Sequence, residues 1–90
     1  MGNYMVIRHT VSDFSAWKTG YDEHEPARKS AGLTEKYLLQ DADNPNQVTI
    51  MFEAEDLKRA EEFTRSDDLR KTMQKFGVVG KPDIYFVKSA

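Results

Sequence analysis

The sequence predicts an α+β fold: a four-stranded antiparallel sheet with helices on one face. Three observations lead there. A tight polar turn, Asp41-Ala42-Asp43-Asn44-Pro45-Asn46, joins two strand-like runs near the middle of the chain. A helical pattern flanks that pair on each side, and a further strand-like run lies beyond each helical pattern. Ninety residues leave room for one domain, 1–90, able to bury roughly 60–65% of its unfolded surface.

The first strand is read from Tyr4 to Thr10, a run rich in aromatic and β-branched residues and too short for a lone helix. Ser12 is the expected N-cap of the first helix, on which Phe14, Trp17, Tyr21, His24 and Arg28 recur at spacings of three and four and share one face. Pro26 disfavours helical geometry at Glu25, so this helix is expected to end or kink near His24 before a last turn through Ala31, with Gly32 as the stop. Thr34 to Asp41 and Gln47 to Ala54 are read as a hairpin around the polar turn. Asp56 caps a helical stretch through Ala60 and Phe63. A break at Arg65-Ser66 follows, then a second capped turn with Leu69, Met73 and Phe76 in register. Gly77 and Gly80 are expected to end it, and Pro82 to open a last strand over Ile84 to Val87. Right-handed crossovers then place the first and third strands in the middle of the sheet, the ferredoxin-like βαββαβ arrangement.

A sheet with one wet face should alternate apolar and polar residues. Here both parities are apolar: Met5 and Ile7 against Tyr4 and Val6, Ile50 and Phe52 against Met51, Ile84 and Phe86 against Tyr85 and Val87. Both faces are therefore expected to be covered, one by the helices and one by a second copy in a two-fold homodimer.

Composition narrows the function classes. With 39% hydrophobic and 31% charged residues, no run approaches the length of a spanning helix, so no membrane partner is expected. The net charge of -2 comes from interspersed signs with no basic stripe, which speaks against nucleic acid. There are no cysteines, and the start, Met1-Gly2-Asn3-Tyr4-Met5, shows no secretion signal, so the expected location is cytoplasmic.

Few residues offer chemistry. His9 shares the parity of Met5 and Ile7, and a histidine there is either an acid or base near neutral pH or a structural group at a strand end. His24 and Arg28 extend the stripe of Phe14, Trp17 and Tyr21, where a cation beside aromatics holds a carboxylate or enolate, unless the stripe is simply core. A five-residue turn from Ala42 to Asn46 would set Tyr37 opposite Met51 and Glu35 opposite Glu53, and facing carboxylates raise one another's pKa. Asp41, Asp43 and Asn44 are turn residues, since the glycine and distal glutamate of a calcium loop are absent. No phosphate loop, nucleophile elbow or zinc spacing occurs, so neither metal nor cofactor is expected.

The stretches Arg8-His9-Thr10-Val11-Ser12-Asp13-Phe14-Ser15-Ala16-Trp17, Asp41 to Asn46, Phe63-Thr64-Arg65-Ser66-Asp67-Asp68-Leu69 and Gly77-Val78-Val79-Gly80-Lys81-Pro82 resemble small bacterial proteins of the dimeric α/β-barrel superfamily, near the antibiotic biosynthesis monooxygenase-like proteins. The resemblance spans nearly the whole chain. It implies two sheets facing across a dimer, with a cavity between sheet and helices for small aromatic or polyketide-like substrates or haem. Cofactor-free monooxygenases of that kind deprotonate an electron-rich substrate and let oxygen react. Haem-degrading members place a histidine in the second helical region; Leu57 to Phe76 contains none. The Asn, Trp and Arg set of quinone-forming members does not map, because the one tryptophan, Trp17, lies in the first helix.

Two readings stay open. In one, Phe14, Trp17 and Tyr21 wall an enzyme pocket, His9 or His24 is the base, Arg28 stabilises an anion, and Tyr37 and Glu53 add substrate contacts. The reaction is then oxygenation or isomerisation of a small organic acid or phenol. In the other, the chain is a non-catalytic ligand-binding or accessory dimer module.

Overall fold

Side chains alternate across a strand, so each strand of this chain contributes to two different surfaces. The computed structural model describes residues 2–90. Its elements are β1 (Asn3–Val11), α1 (Phe14–Glu23), α2 (Glu25–Ser30), β2 (Leu33–Gln40), β3 (Gln47–Ala54), α3 (Leu57–Thr64), α4 (Asp67–Lys75) and β4 (Val78–Lys88). The strands form one antiparallel sheet in the order β2-β3-β1-β4, the ferredoxin-like order with the first and third strands inside. Among the described residues no helix is long and apolar enough to cross a membrane.

The inward parity of the sheet makes the core. Met5, Ile7 and Val11 of β1, Val48, Ile50 and Phe52 of β3 and Leu33 of β2 are buried together with Trp17, Tyr21 and Ala60 of the helices. The opposite parity is bare in the single chain. Cross-strand pairing of Tyr37 with Met51, Met51 with Val6 and Val6 with Tyr85 lays one apolar line over all four strands. Its ends, Tyr37 and Tyr85, are 58% and 55% exposed.

The helical regions break where proline, glycine and capping residues dictate. Pro26 stands in the first turn of α2, so the chain is interrupted at His24 and the short helix stops at Ala31 before Gly32, whose φ is 77°. Ser66 caps α4 by accepting from the amide of Leu69, dividing α3 from α4 as expected. The N-cap of α1 differs from expectation. It is Asp13, whose carboxylate accepts from the amide of Ser15, while the amide of Ser12 is bound to the carbonyl of Gly77.

Two bulges change the sheet from the expected pattern. In β2 the register shifts between Glu35 and Tyr37, so Tyr37 does face Met51, but Thr34 faces Glu53 and Glu35 faces Phe52. The expected Glu35–Glu53 pair does not form, because one extra residue moves Glu35 to the helix side of the sheet. In β4 the strand starts at Val78, well before Ile84, and Pro82 lies inside it. Arg8 pairs with Asp83 and Thr10 with Val79, which leaves Gly80, Lys81 and Pro82 bulged out of an edge strand. An edge bulge tolerates a residue with no N–H to donate. Gly80, at φ 71°, serves this bulge and not the helix end.

Candidate functional site

A cavity of about 50 Å3 lies between the inner face of the sheet and the helices. β1 supplies Ile7 and His9 to it, β3 Ile50 and Phe52, α1 Trp17 and Tyr21, α2 Arg28, and the second helical region Phe63, Leu69, Thr72, Met73 and Phe76, with His24 at the α1–α2 break.

His9 is the unusual member. It is 6% exposed, and neither of its ring nitrogens has a hydrogen-bond partner. It sits where the β1–β4 register shifts between Arg8 and Thr10, a place where bulges commonly re-aim a side chain. Trp17 meets its ring edge-on, with centroids 5.3 Å apart and planes at 83°. Burial in this apolar setting lowers its pKa from 6.5 to about 4, because the charged form would lose its hydration. His9 is therefore a neutral imidazole at physiological pH, with one nitrogen able to accept and one able to donate.

Beyond Trp17 the aromatic stripe continues in contact. Tyr21 stacks on Trp17 at 4.8 Å between centroids, and the guanidinium of Arg28 lies 3.7 Å from the Tyr21 ring centroid. Arg28 is 7% exposed, and its Nη1 donates to the Tyr21 carbonyl at 2.6 Å. The Tyr21 hydroxyl donates to Glu35 Oε1 at 2.7 Å. Burial, then that bond to a carboxylate, raises the Tyr21 pKa, and burial lowers that of Arg28. The cation is held by aromatic contact and backbone more than by a paired carboxylate. That leaves it capable of holding an anionic oxygen.

His24 Nε2 lies 2.9 Å from Asp68 Oδ2, which ties the α1–α2 break to the start of α4. Its ring stacks on Phe63 at 6.0 Å. Of the residues singled out from sequence, His9, Trp17, Tyr21, His24 and Arg28 thus share one cavity. Phe14 stands one step back, packed on Trp17 at 5.7 Å, and Tyr37 and Glu53 lie on the open face of the sheet, away from the cavity. Sequence reasoning missed the α4 wall of Met73 and Phe76, because a helix face lining a cavity has the same apolar period as one packed solid. Among the described residues no group of three or more His, Asp or Glu is placed to hold a metal ion.

No protein-family model matches this chain, and no curated protein matches it. Solved structures do. A protein of Bordetella bronchiseptica, provisionally named an antibiotic biosynthesis monooxygenase, superposes with a TM-score of 0.79 at 15% identity over 100% of this chain and 99% of that one. A similarly named protein of Nitrosomonas europaea gives 0.73 at 16% identity over 98% and 89%. SnoaB of Streptomyces nogalater, a cofactor-independent oxygenase, gives 0.71 at 11% identity over 99% and 96%. The chain thus has the fold of the antibiotic biosynthesis monooxygenase-like proteins, as its sequence resemblance implied.

Proposed function

We infer that this chain binds a compact phenolic or enolic molecule in the cavity beside His9, and that it oxygenates it without a cofactor. The observation that carries this is His9 itself: a neutral, buried imidazole with both nitrogens unpartnered, facing an aromatic-walled space. An orphaned buried polar group costs about 1–3 kcal/mol, so its presence at a cavity wall supports a ligand that satisfies it. A hydroxyl group satisfies the accepting nitrogen by donating to it. Arg28, at the end of the same stripe, serves the oxygen that becomes anionic. For a phenol the ring supplies the electrons: the O–H and one ring C–H are lost, one oxygen atom forms a new C=O to give the quinone, and the other leaves as water. The cofactor-independent oxygenase among the solved structures of this fold supports the choice of reaction class.

Magnitudes limit what His9 does alone. Full transfer of a phenolic proton, with a pKa near 10, to an imidazole at about 4 is uphill by roughly 8 kcal/mol. That leaves room within a barrier of roughly 16 kcal/mol for turnover near 10 per second, provided the anion is stabilised, which is the part given to Arg28. The small cavity favours single-ring molecules over polyketides.

The low basicity of His9 also favours a second reading, a binding module without turnover. The two separate in one experiment. Candidate phenols and enols are titrated while Trp17 fluorescence and oxygen uptake are followed. Binding with oxygen consumption that is lost in His9→Phe supports the oxygenase. Binding without oxygen consumption selects the module, and no binding sinks both.

The same reading includes a homodimer closed through the open sheet face and a cytoplasmic location. The exposed line from Tyr37 to Tyr85, with Leu39 and Val87 beside it, supports the dimer, since apolar surface of that extent on one face is normally covered. Tyr37 and Glu53 then belong to the interface side of the sheet. Light scattering at micromolar concentration tests the dimer, and fractionation tests the location.

A further inference from the structure

An apolar cavity of about 150 Å3 holds a benzene ring, and the space beside His9 is about 50 Å3. A ring reaches His9 only when a wall yields. The walls differ in how firmly they are held. On the α1–α2 side Tyr21 and Arg28 also line a polar groove of about 340 Å3 along β2, so they form the partition there. That partition is pinned by the guanidinium over the Tyr21 ring, by Arg28 Nη1 on the Tyr21 carbonyl and by the Tyr21 hydroxyl on Glu35.

On the α3–α4 side the backbone is tied, by Asp68 to His24 and by the Gly77 carbonyl to the Ser12 amide, while the lining side chains are held by packing. Phe63, Thr72, Met73 and Phe76 line the cavity, yet each keeps part of its surface in solvent. Leu69 is the one buried residue of α4. The helix stops at Phe76, and Gly77 follows with φ 84°, so the Phe76 ring is carried at a point where the backbone changes direction. That ring rests on α1 at Gly20, so closely that a Cβ there would overlap Phe76 Cγ. Dispersion contacts and the Lys75 ammonium, 5.3 Å from the ring centroid, hold it, with no directional hydrogen bond to fix its rotamer. Met73, one turn earlier, has an unbranched thioether that repacks easily.

We propose that Phe76, seated on Gly20 at the C-terminal end of α4, is the gate residue that sets the size of molecule admitted to His9. The proposal rests on the reading of this cavity as the binding site and adds the residue that selects among ligands. Withdrawal of the Phe76 ring and adjustment of Met73 make room for one ring, and the pinned Tyr21–Arg28 wall refuses a second. Single-ring phenols and enols are the accepted class.

The test compares phenol and 1-naphthol binding to wild type, Phe76→Ala and Phe76→Leu by calorimetry and stopped-flow Trp17 fluorescence, with circular dichroism as the control for folding. The expected result is at least a tenfold rise in naphthol affinity relative to phenol in Phe76→Ala and a smaller rise in Phe76→Leu, with faster entry. A purely structural role would lower the melting temperature and leave that ratio unmoved. Phe76→Leu keeps the core apolar and decides the matter if the alanine variant does not fold. Phenol binding with an unchanged ratio overturns the gate alone. Binding of neither phenol by folded wild type and folded Phe76→Leu overturns the site reading and the gate with it.

Discussion

Replacing His9 with phenylalanine should make the protein more stable and useless. The imidazole is 6% exposed with two unpartnered nitrogens, and such a group costs about 1–3 kcal/mol relative to a satisfied or apolar one. Phenylalanine has similar shape, and the adjoining cavity of about 50 Å3 takes up the difference in volume. At pH 7 the variant should therefore gain about 1–3 kcal/mol. The gap widens in acid. The folded His9 has a pKa of about 4 against 6.5 in an open chain, so between those values the unfolded state binds the proton and the folded state does not. Wild-type stability consequently falls as pH drops through that window, by about 3 kcal/mol at roughly 1.4 kcal/mol per pH unit. Carboxylates titrate in both proteins and cancel in the difference. Urea unfolding of both proteins from pH 7 to pH 4 reads it directly, alongside phenol binding. A variant less stable at pH 7, or a difference that stays flat down to pH 4, would refute the account of His9 as a buried, unsatisfied neutral group.

Other expectations follow from single contacts. Gly20→Ala ordinarily favours a helix by up to about 1 kcal/mol, but here the new methyl group collides with Phe76, so a net loss of about 1–2 kcal/mol is expected; a raised midpoint in urea would show that Phe76 does not sit there. Asp13→Ala removes the cap of α1 and should cost about 1 kcal/mol, whereas Ser12→Ala should cost less; the reverse order would restore Ser12 as the cap. Tyr85→Lys puts a charge on the apolar line of the proposed interface and should convert a dimer to monomer in sedimentation at micromolar concentration; an unchanged mass would move the interface elsewhere.

The fold was legible because its signals are periodic. Parity along β1 put Met5, Ile7 and His9 on one face, and the spacing of Phe14, Trp17 and Tyr21 aimed the helix at them. What escaped depends on single-residue irregularities with no period. The bulge before Tyr37 sent Glu35 inward to accept from Tyr21, and nothing in Thr34-Glu35-Lys36 marks it. Gly80 looks like a helix end and Pro82 like the opening of a strand, yet a bulge inside an edge strand absorbed both. Ser12 and Asp13 are equally good caps by type, and the bond from Ser12 to Gly77 decided between them. The lining of the His9 cavity was legible as far as the α1–α2 residues go. Its α4 wall was not, since Leu69, Met73 and Phe76 carry no mark separating a lining residue from a packed one.

The two parities of β1 also set the proposed interface and the His9 cavity on opposite faces of the sheet. Met5, Ile7 and His9 face the helices, while Tyr4, Val6 and Arg8 face outward, and the sheet lies between them. The residues of this chain that line the His9 cavity lie on the helix side of the sheet, away from the proposed interface. If the proposed dimer closes through the open face, separating its subunits should leave His9, Tyr21 and Arg28 as they stand in this chain. A monomeric Tyr85→Lys protein should bind phenol with the wild-type affinity once it is folded, and lose stability only in proportion to the subunit contact. If monomerisation abolished binding, the ligand would have to sit against the open face. Tyr37 and Glu53 would then be the residues to examine, and the unpartnered His9 would need another explanation.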